Sequence, residues 1–129
     1  MLPAPIDVPT CMVQAAIDYT LPLRGLLAVW LTEGGRLGTE SKNKNKTTDY
    51  GPMQINTVWA NRLQLEFGVT KEMITNDFCW SVRAAAYILR YEINLADGSF
   101  WDGVGHYHSR TPHIKARYIA DVYQNSLKF

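Results

Sequence analysis

Residues 24–56 read RGLLAVWLTEGGRLGTESKNKNKTTDYGPMQIN, and this stretch decides the fold. It begins as an apolar helix pattern and continues as a polar loop that ends in DYGPMQIN. The helix pattern repeats at i, i+3, i+4, i+7 and i+8, in Leu23, Leu26, Leu27, Trp30 and Leu31, which is typical of a buried helix face. Thr20 is the predicted N-cap, and Gly34 and Gly35 are predicted to end the helix at Glu33.

Glu33 is the candidate catalytic residue of this stretch. It lies in the predicted last turn, where the negative end of the helix dipole disfavours a carboxylate by about 0.3–1 kcal/mol. Apolar neighbours such as Trp30 add desolvation, which raises the pKa further. A carboxyl group that is protonated near neutral pH is what a general acid requires. The alternative is a solvated glutamate at the end of an ordinary core helix.

Glu33, the polar loop and the segment 49–56 together resemble the lysozyme-like glycosidases of the bacterial cell wall. The resemblance is closest to the small lytic transglycosylases of the soluble lytic transglycosylase superfamily, especially those encoded with conjugation and secretion machines. It covers roughly residues 11–125 and rests on Glu33, on the GPMQ segment at 51–54, and on Tyr107 as the distal tyrosine. The DYGxxQIN pattern also matches animal-type lysozymes, so it does not separate the two families.

The resemblance implies a fold as well as an activity. We expect one mainly α, lysozyme-like catalytic domain over residues 1–129, with residues 1–10 as an extended lead-in. The loop between Gly34 and Tyr50 is implied to form a small β-hairpin over the cleft, which periodicity alone does not show. The implied activity is cleavage of the β-1,4 bond between N-acetylmuramic acid and N-acetylglucosamine. Glu33 acts first as acid and then as base, and the sugar's 6-hydroxyl closes a 1,6-anhydro end.

The resemblance also assigns substrate-binding roles around the implied cleft. Gln54 and Asn56 are expected to line it and to bind the sugar, although local bonding in the hairpin is an alternative for both. Met53 is implied to pack against Glu33 or the substrate, with a core methionine as the equal alternative. The hydroxyl of Tyr107 is implied to hydrogen-bond Glu33.

His108 stands where the family usually has Asn, and it is a further candidate substrate-binding residue. The Ser that usually follows the catalytic Glu is Gly34, and the Leu usual before Met is Pro52. These three departures motivate a different class of function, an inactive glycan-binding assembly subunit of a secretion system. Trp59, Trp80 and Trp101 fit core positions as well as sugar stacking and are not assigned to the site.

Asp49 is the residue that discriminates between two enzyme mechanisms. If its carboxylate faces Glu33 across the cleft at about 5–10 Å, a hydrolytic lysozyme (muramidase) that uses both carboxylates is possible. If it points into the loop as an Asx-type turn residue, a transglycosylase is favoured. Because the secretion-associated transglycosylases also carry this motif, we favour a structural or positioning role for Asp49.

Composition limits the possible partners. The chain has 129 residues, 47% hydrophobic and 19% charged, with a net charge of +1, as in an ordinary single domain. Lys42, Lys44 and Lys46 make the loop locally basic, either as a solvated loop or as an attraction for an anionic polymer. The chain shows neither a nucleic-acid module nor the run of ~20 apolar residues that a membrane span needs. We expect a monomer that binds peptidoglycan strands and works with components of a secretion or conjugation machine.

The two cysteines, Cys11 and Cys79, are either bridged or two buried free thiols. The related secretion-associated enzymes often have cysteines in similar places, so the resemblance favours a disulfide and an oxidising compartment. A bridge would contribute roughly 4 kcal/mol in the loop-entropy model. The first residues have neither a basic n-region nor an apolar h-region, so either the protein stays inside the cell or its signal segment has been removed. The cysteines favour the second alternative, a periplasmic or exported location.

The remaining pattern predicts helices and excludes other chemistry. Helices are expected at 11–18, from Thr57 to Gly68, and over about 79–96 with Glu92 outward. A last helix is expected after Thr111, with Ile114, Tyr118 and Val122 on one face.

The spacing of His106, His108 and His113 does not match a ligand array, so we expect neither a metal nor a cofactor.

Overall fold

The computed structural model describes residues 7–129 and shows the predicted mainly α, lysozyme-like architecture with a small sheet. Residues 1–6 of the predicted lead-in lie outside the described part. The helices are α1 (Thr10–Asp18), α2 (Leu23–Glu33), α3 (Thr57–Phe67), α4 (Lys71–Asn76), α5 (Phe78–Leu95), α6 (Phe100–His108) and α7 (Pro112–Ser126). The strands are β1 (Glu40–Lys42), β2 (Thr48–Tyr50) and β3 (Ile55–Asn56).

Helix α2 ends as predicted but begins differently. Gly34 adopts the left-handed conformation (φ 65°), and its N–H donates to the Trp30 carbonyl at 3.1 Å, so Glu33 is the last helical residue. The predicted N-cap Thr20 is wrong. It lies two residues before Pro22, the observed N-cap, and its own φ of 54° places it in the preceding turn.

The loop predicted to form a hairpin forms a three-stranded antiparallel sheet in the order β1–β2–β3. Asp49 pairs with Ser41 on one side and with Asn56 on the other. The strand pairing therefore brings two of the predicted site residues, Asp49 and Asn56, side by side.

Helix α5 packs against α1, α4 and α6. Its predicted inward residues are all buried, namely Val82, Ala85, Ala86, Leu89 and Ile93. The predicted outward position of Glu92 is wrong, since the residue is only 4% exposed. Arg110, from the segment between α6 and α7, places its guanidinium 2.7 Å from Glu92 Oε2 and supplies the opposite charge that a buried carboxylate requires.

A disulfide joins Cys11 of α1 to Cys79 of α5, with a Cα–Cα distance of 5.6 Å. This pairing confirms the first of the two alternatives for the cysteines. Within residues 7–129, no helix has the length and apolar character needed to cross a membrane.

Candidate active site

A cavity of about 380 Å³ lies where the end of α2, the sheet and helices α3, α5, α6 and α7 meet. Six predicted site residues line it, namely Glu33, Asp49, Gln54, Asn56, Tyr107 and His108. The other lining residues are Asn43, Asn45, Thr47, Ile55, Trp59, Ile88, Ser109 and Ile114. The fold therefore gathers into one cavity side chains from positions 33 to 114 of the chain.

Glu33 is partly buried at the end of α2, and its carboxylate has one donor among residues 7–129. The hydroxyl of Tyr118 donates to Glu33 Oε2 at 2.6 Å. Burial raises the pKa of Glu33 from 4.5 to about 7, the Tyr118 hydrogen bond lowers it, and the charge of Asp49 raises it. Near neutral pH this group is therefore present in both protonation states, as a residue that alternates between acid and base requires.

Tyr118 is the contact of Glu33 that the sequence prediction missed. It was predicted only to share one face of the last helix with Ile114 and Val122, and the structure shows it 5% exposed. The one signal in the sequence is the tyrosine itself, because a buried tyrosine hydroxyl usually has a hydrogen-bond partner. The partner itself lies 85 residues away, so only the tertiary structure identifies it.

The predicted hydrogen bond from Tyr107 to Glu33 is wrong. The hydroxyl of Tyr107 donates instead to the backbone oxygen of Met53 at 2.8 Å. Helix α6 places this side chain against the turn between β2 and β3. Tyr107 therefore supports the segment that carries Gln54, while the ring itself still borders the cavity.

Of the two alternatives for Met53, the structure shows the core methionine. Its side chain is not a substrate contact. It is fully buried, and its backbone N–H donates to Ser81 Oγ at 3.4 Å. A side chain without exposed surface in the cleft is not available to the substrate. The predicted packing of Met53 against the sugar is therefore wrong.

Asp49 is a strand residue and not the residue of an Asx turn, which corrects one of the two alternatives posed above. Its carboxylate accepts a hydrogen bond from Asn56 Nδ2 at 3.0 Å and borders the same cavity as Glu33. Its charge also raises the pKa of Glu33. Asp49 therefore acts electrostatically on the acid.

Gln54 and Asn56 line the cavity and also make the local bonds that were the alternative. Gln54 Nε2 donates to the Gly51 carbonyl at 3.0 Å. Asn56 caps α3, with its side-chain oxygen accepting from Val58 N at 3.1 Å, and its Nδ2 also donates to Thr47 Oγ1 at 3.0 Å. These bonds orient the two amides before any ligand binds.

His108 forms part of the wall beside the acid. Its ring stacks on that of Tyr118, with centroids 4.5 Å apart and an interplanar angle of 9°. Desolvation lowers the pKa of His108, and the charge of Asp49 opposes this effect by raising it. The imidazole is therefore mostly neutral at pH 7, and it adds no full positive charge next to Glu33.

A profile of the transglycosylase SLT domain matches residues 10–125, nearly the whole chain. The chain belongs to the SLT transglycosylase family. Protein IpgF of Shigella flexneri is 33% identical over 123 residues, covering 92% of this chain and 80% of its own. Invasion protein IagB of Salmonella typhimurium (strain LT2) is 29% identical over 123 residues, covering 92% of this chain and 76% of its own.

Two of the departures from the usual SLT pattern lie away from the cavity wall of this domain. Neither Gly34 nor Pro52 is among the residues that line the cavity. Gly34 serves as the left-handed C-cap of α2, and Pro52 is buried in the turn after β2. Of the three departures, only His108 borders the cavity.

The structure adds residues that the sequence did not assign to this SLT domain's site. Asn43, Asn45 and Thr47 come from the turn between β1 and β2, and Trp59 comes from α3. Ile114, which was predicted to share one face of the last helix with Tyr118 and Val122, is 40% exposed and borders the cavity. Among residues 7–129, no group of three or more His, Cys, Asp or Glu side chains is placed to hold a metal ion.

Proposed function

We propose that this chain is a peptidoglycan lytic transglycosylase with Glu33 as its general acid and base. It would cleave the β-1,4 bond between N-acetylmuramic acid and N-acetylglucosamine and leave a 1,6-anhydro end. The observation that carries the proposal is the buried Glu33 carboxyl, with a pKa of about 7 and one hydroxyl donor from Tyr118. The match to the SLT family supports the same reaction class.

In the first step, protonated Glu33 gives its proton to the glycosidic oxygen as the bond from that oxygen to the muramyl C1 breaks. The carboxylate that forms keeps the hydrogen bond from Tyr118, which stabilises the new charge. In the second step, the Glu33 carboxylate takes the proton of the muramyl 6-hydroxyl while the oxygen of that hydroxyl bonds to C1. The acid is regenerated, and no water is consumed.

The surrounding residues would hold the sugars in register for these two steps. Gln54 and Asn56 present pre-oriented amides to the N-acetyl and ring substituents, and Trp59 offers an aromatic surface in the same cavity. Tyr107 keeps the Gln54 segment in place through the Met53 carbonyl. The whole chain would act as one catalytic domain and as a monomer.

The biological role that we propose is local opening of the cell wall for a secretion, conjugation or pilus machine. One relative, IagB, is named an invasion protein, and the chain carries a disulfide, which fits an exported or periplasmic enzyme. The chemistry would need no metal or other cofactor, because the sugar supplies its own nucleophile.

A hydrolytic muramidase is the second candidate, because Asp49 borders the same cavity as Glu33 and raises its pKa. In that case Asp49 would stabilise the cationic transition state or form a covalent intermediate, and water would complete the reaction. The product would then carry a reducing end in place of an anhydro end.

Mass spectrometry of purified sacculi digested by wild type, Glu33→Gln and Asp49→Asn separates these candidates. We expect anhydro-muramyl ends, lighter than reducing ends by one water, from wild type and no product from Glu33→Gln. Reducing ends that disappear in Asp49→Asn would establish the muramidase instead. If a correctly folded wild type binds the strands and releases no product, the enzyme proposal fails in favour of an inactive glycan-binding subunit.

A further inference from the structure

The α6–α7 linker, residues 109–111, joins two helices that both reach the active site. His108 at the end of α6 and Ser109 in the linker line the cavity. On the other side of the linker, Tyr118 of α7 donates its hydroxyl to the Glu33 carboxylate at 2.6 Å. The position of the linker therefore determines where one cavity wall and the donor to the acid lie.

The linker has little buried surface of its own. Among residues 109–114 only Ser109 is even partly buried, and the first buried residue of α7 is Tyr118. Two hydrogen bonds shape the turn, from the Ser109 N–H to the Gly105 carbonyl at 3.0 Å and from the Thr111 N–H to Ser109 Oγ at 3.1 Å. Both are local in the chain, so neither fixes the linker against the rest of the fold.

One long-range contact ties the linker to the core. The guanidinium of Arg110 donates to Glu92 Oε2 at 2.7 Å, and Glu92 is only 4% exposed on α5. Among residues 7–129, Arg110 is the one side-chain partner of this carboxylate. A carboxylate removed from water requires a well-oriented counter-charge, so Glu92 restricts where Arg110 can lie. The backbone of the linker is restricted with it.

We propose that Arg110 and Glu92 are positioning residues, whose ion pair fixes the α6–α7 linker against α5. The fixed linker keeps His108 in the cavity wall and keeps the Tyr118 hydroxyl at Glu33. Neither Arg110 nor Glu92 lines the cavity, so the pair acts through the linker and not on the substrate. This inference rests on the proposed function, because it gives the pair a part in that reaction.

An ion pair of this kind can also contribute to stability alone, and a double substitution separates the two roles. Replacing a buried pair by apolar side chains of similar volume is often neutral or stabilising, whereas removing one partner leaves an unpaired charge. Glu92→Leu/Arg110→Met therefore restores apolar packing but removes the directed hydrogen bond. If the pair serves stability alone, this variant should behave as wild type.

The experiment measures kcat/KM on sacculi, its pH midpoint, and the titration of the carbon-labelled Glu33 carboxyl by NMR. In Glu92→Leu/Arg110→Met we expect kcat/KM to fall about tenfold, because small displacements around a reacting group have effects of this size. The pH midpoint and the titration should both move upward, since the Tyr118 hydrogen bond that lowers the pKa of Glu33 is weakened. Arg110→Lys should show the same changes to a smaller extent, because it keeps the charge without the planar fork.

Arg90→Gln is the matched control, because Arg90 also anchors a distant segment. Its guanidinium donates to the carbonyls of Tyr19 and Thr20, at 3.0 and 2.6 Å, and the residue does not line the cavity. Arg90→Gln should lower the urea midpoint and leave the pH midpoint and the Glu33 titration unchanged.

Wild-type values in both Arg110 variants, or an equal upward shift in Arg90→Gln, would overturn the proposal. The titration of Glu33 needs no turnover. If it shifts as expected while wild type fails to cleave sacculi, the enzyme proposal fails and the positioning of Glu33 by the ion pair stands.

Discussion

Replacing Tyr118 by Phe would remove one hydroxyl and leave the packing of the ring in place. This hydroxyl is the side-chain donor to the Glu33 carboxylate, at 2.6 Å, and its hydrogen bond lowers the pKa of Glu33. The bond favours the charged form of the acid. Its removal should therefore raise the pKa of Glu33 above its present value of about 7.

The size of this effect follows from the kind of bond that is lost. A hydrogen bond to a charged group contributes about 1.5–3 kcal/mol, and one pKa unit corresponds to about 1.4 kcal/mol. Taking the lower value, because the cleft admits solvent, the pKa of Glu33 should rise to about 8. The carboxylate that develops during bond cleavage also loses its donor, so kcat on the plateau should fall by up to about tenfold.

The assay is the dependence of kcat/KM on pH, from pH 5 to pH 9, for the solubilisation of sacculi, because this ratio reports the pKa values of the free enzyme. The first step needs protonated Glu33, so wild type should lose activity with a midpoint near pH 7. In Tyr118→Phe this midpoint should move upward by about one pH unit. Carbon NMR of the labelled Glu33 carboxyl would report the same shift without turnover.

Tyr107→Phe is the matched control, because it also removes a buried tyrosine hydroxyl from a side chain beside the cavity. That hydroxyl donates to the Met53 carbonyl and not to Glu33. The pH midpoint of activity in Tyr107→Phe should therefore stay near that of wild type. A midpoint that is unchanged or lowered in Tyr118→Phe, or raised equally in both variants, would refute the assignment of Tyr118 as the donor that adjusts the acid.

Three further predictions concern stability, each measured by urea unfolding. Tyr107→Phe should lower the free energy of unfolding by about 1–3 kcal/mol, because the buried Met53 carbonyl is left without its donor. An unchanged urea midpoint would show that water replaces the lost hydroxyl. Burial raises the pKa of Glu33 from 4.5 to about 7, so the folded state disfavours the ionised form and wild type should lose up to about 3 kcal/mol as the pH rises through this range. Glu33→Gln should be spared this loss, and parallel pH curves for the two proteins would contradict the raised pKa. Replacing both Cys11 and Cys79 by Ser should cost about 4 kcal/mol, since their bridge spans a separation of 68 residues; wild type under reducing conditions should match the variant.

Several features could be predicted because their causes are local in the chain. The apolar stripe and the glycine after Glu33 are sufficient to end α2 at the acid, and the observed end at Gly34 agrees. The inward residues of α5 follow from the 3.6-residue period in the same way. The resemblance carried by Glu33 and the segment 49–56 indicated the family that the profile match shows.

Other features failed where a long-range contact decided them. Glu92 was predicted to face outward, but Arg110 covers it with a counter-charge. Tyr107 was assigned the bond to Glu33 because it occupies the motif position, whereas the geometry of α6 directs its hydroxyl to the Met53 carbonyl. Asp49 fits either a turn or a strand locally, and pairing with Asn56 decides between them.

By itself, then, the sequence indicated the candidate acid, the helix that presents it and the family, because helix periodicity, glycine caps and a short motif act over a few residues. Only the tertiary structure decided what surrounds the acid. Asp49 and His108 line the same cavity as Glu33, and Tyr118 donates to its carboxylate, although these residues are far apart in the chain. The pKa of a buried carboxyl depends on distances between such groups, and those distances exist only after the helices and the sheet have packed.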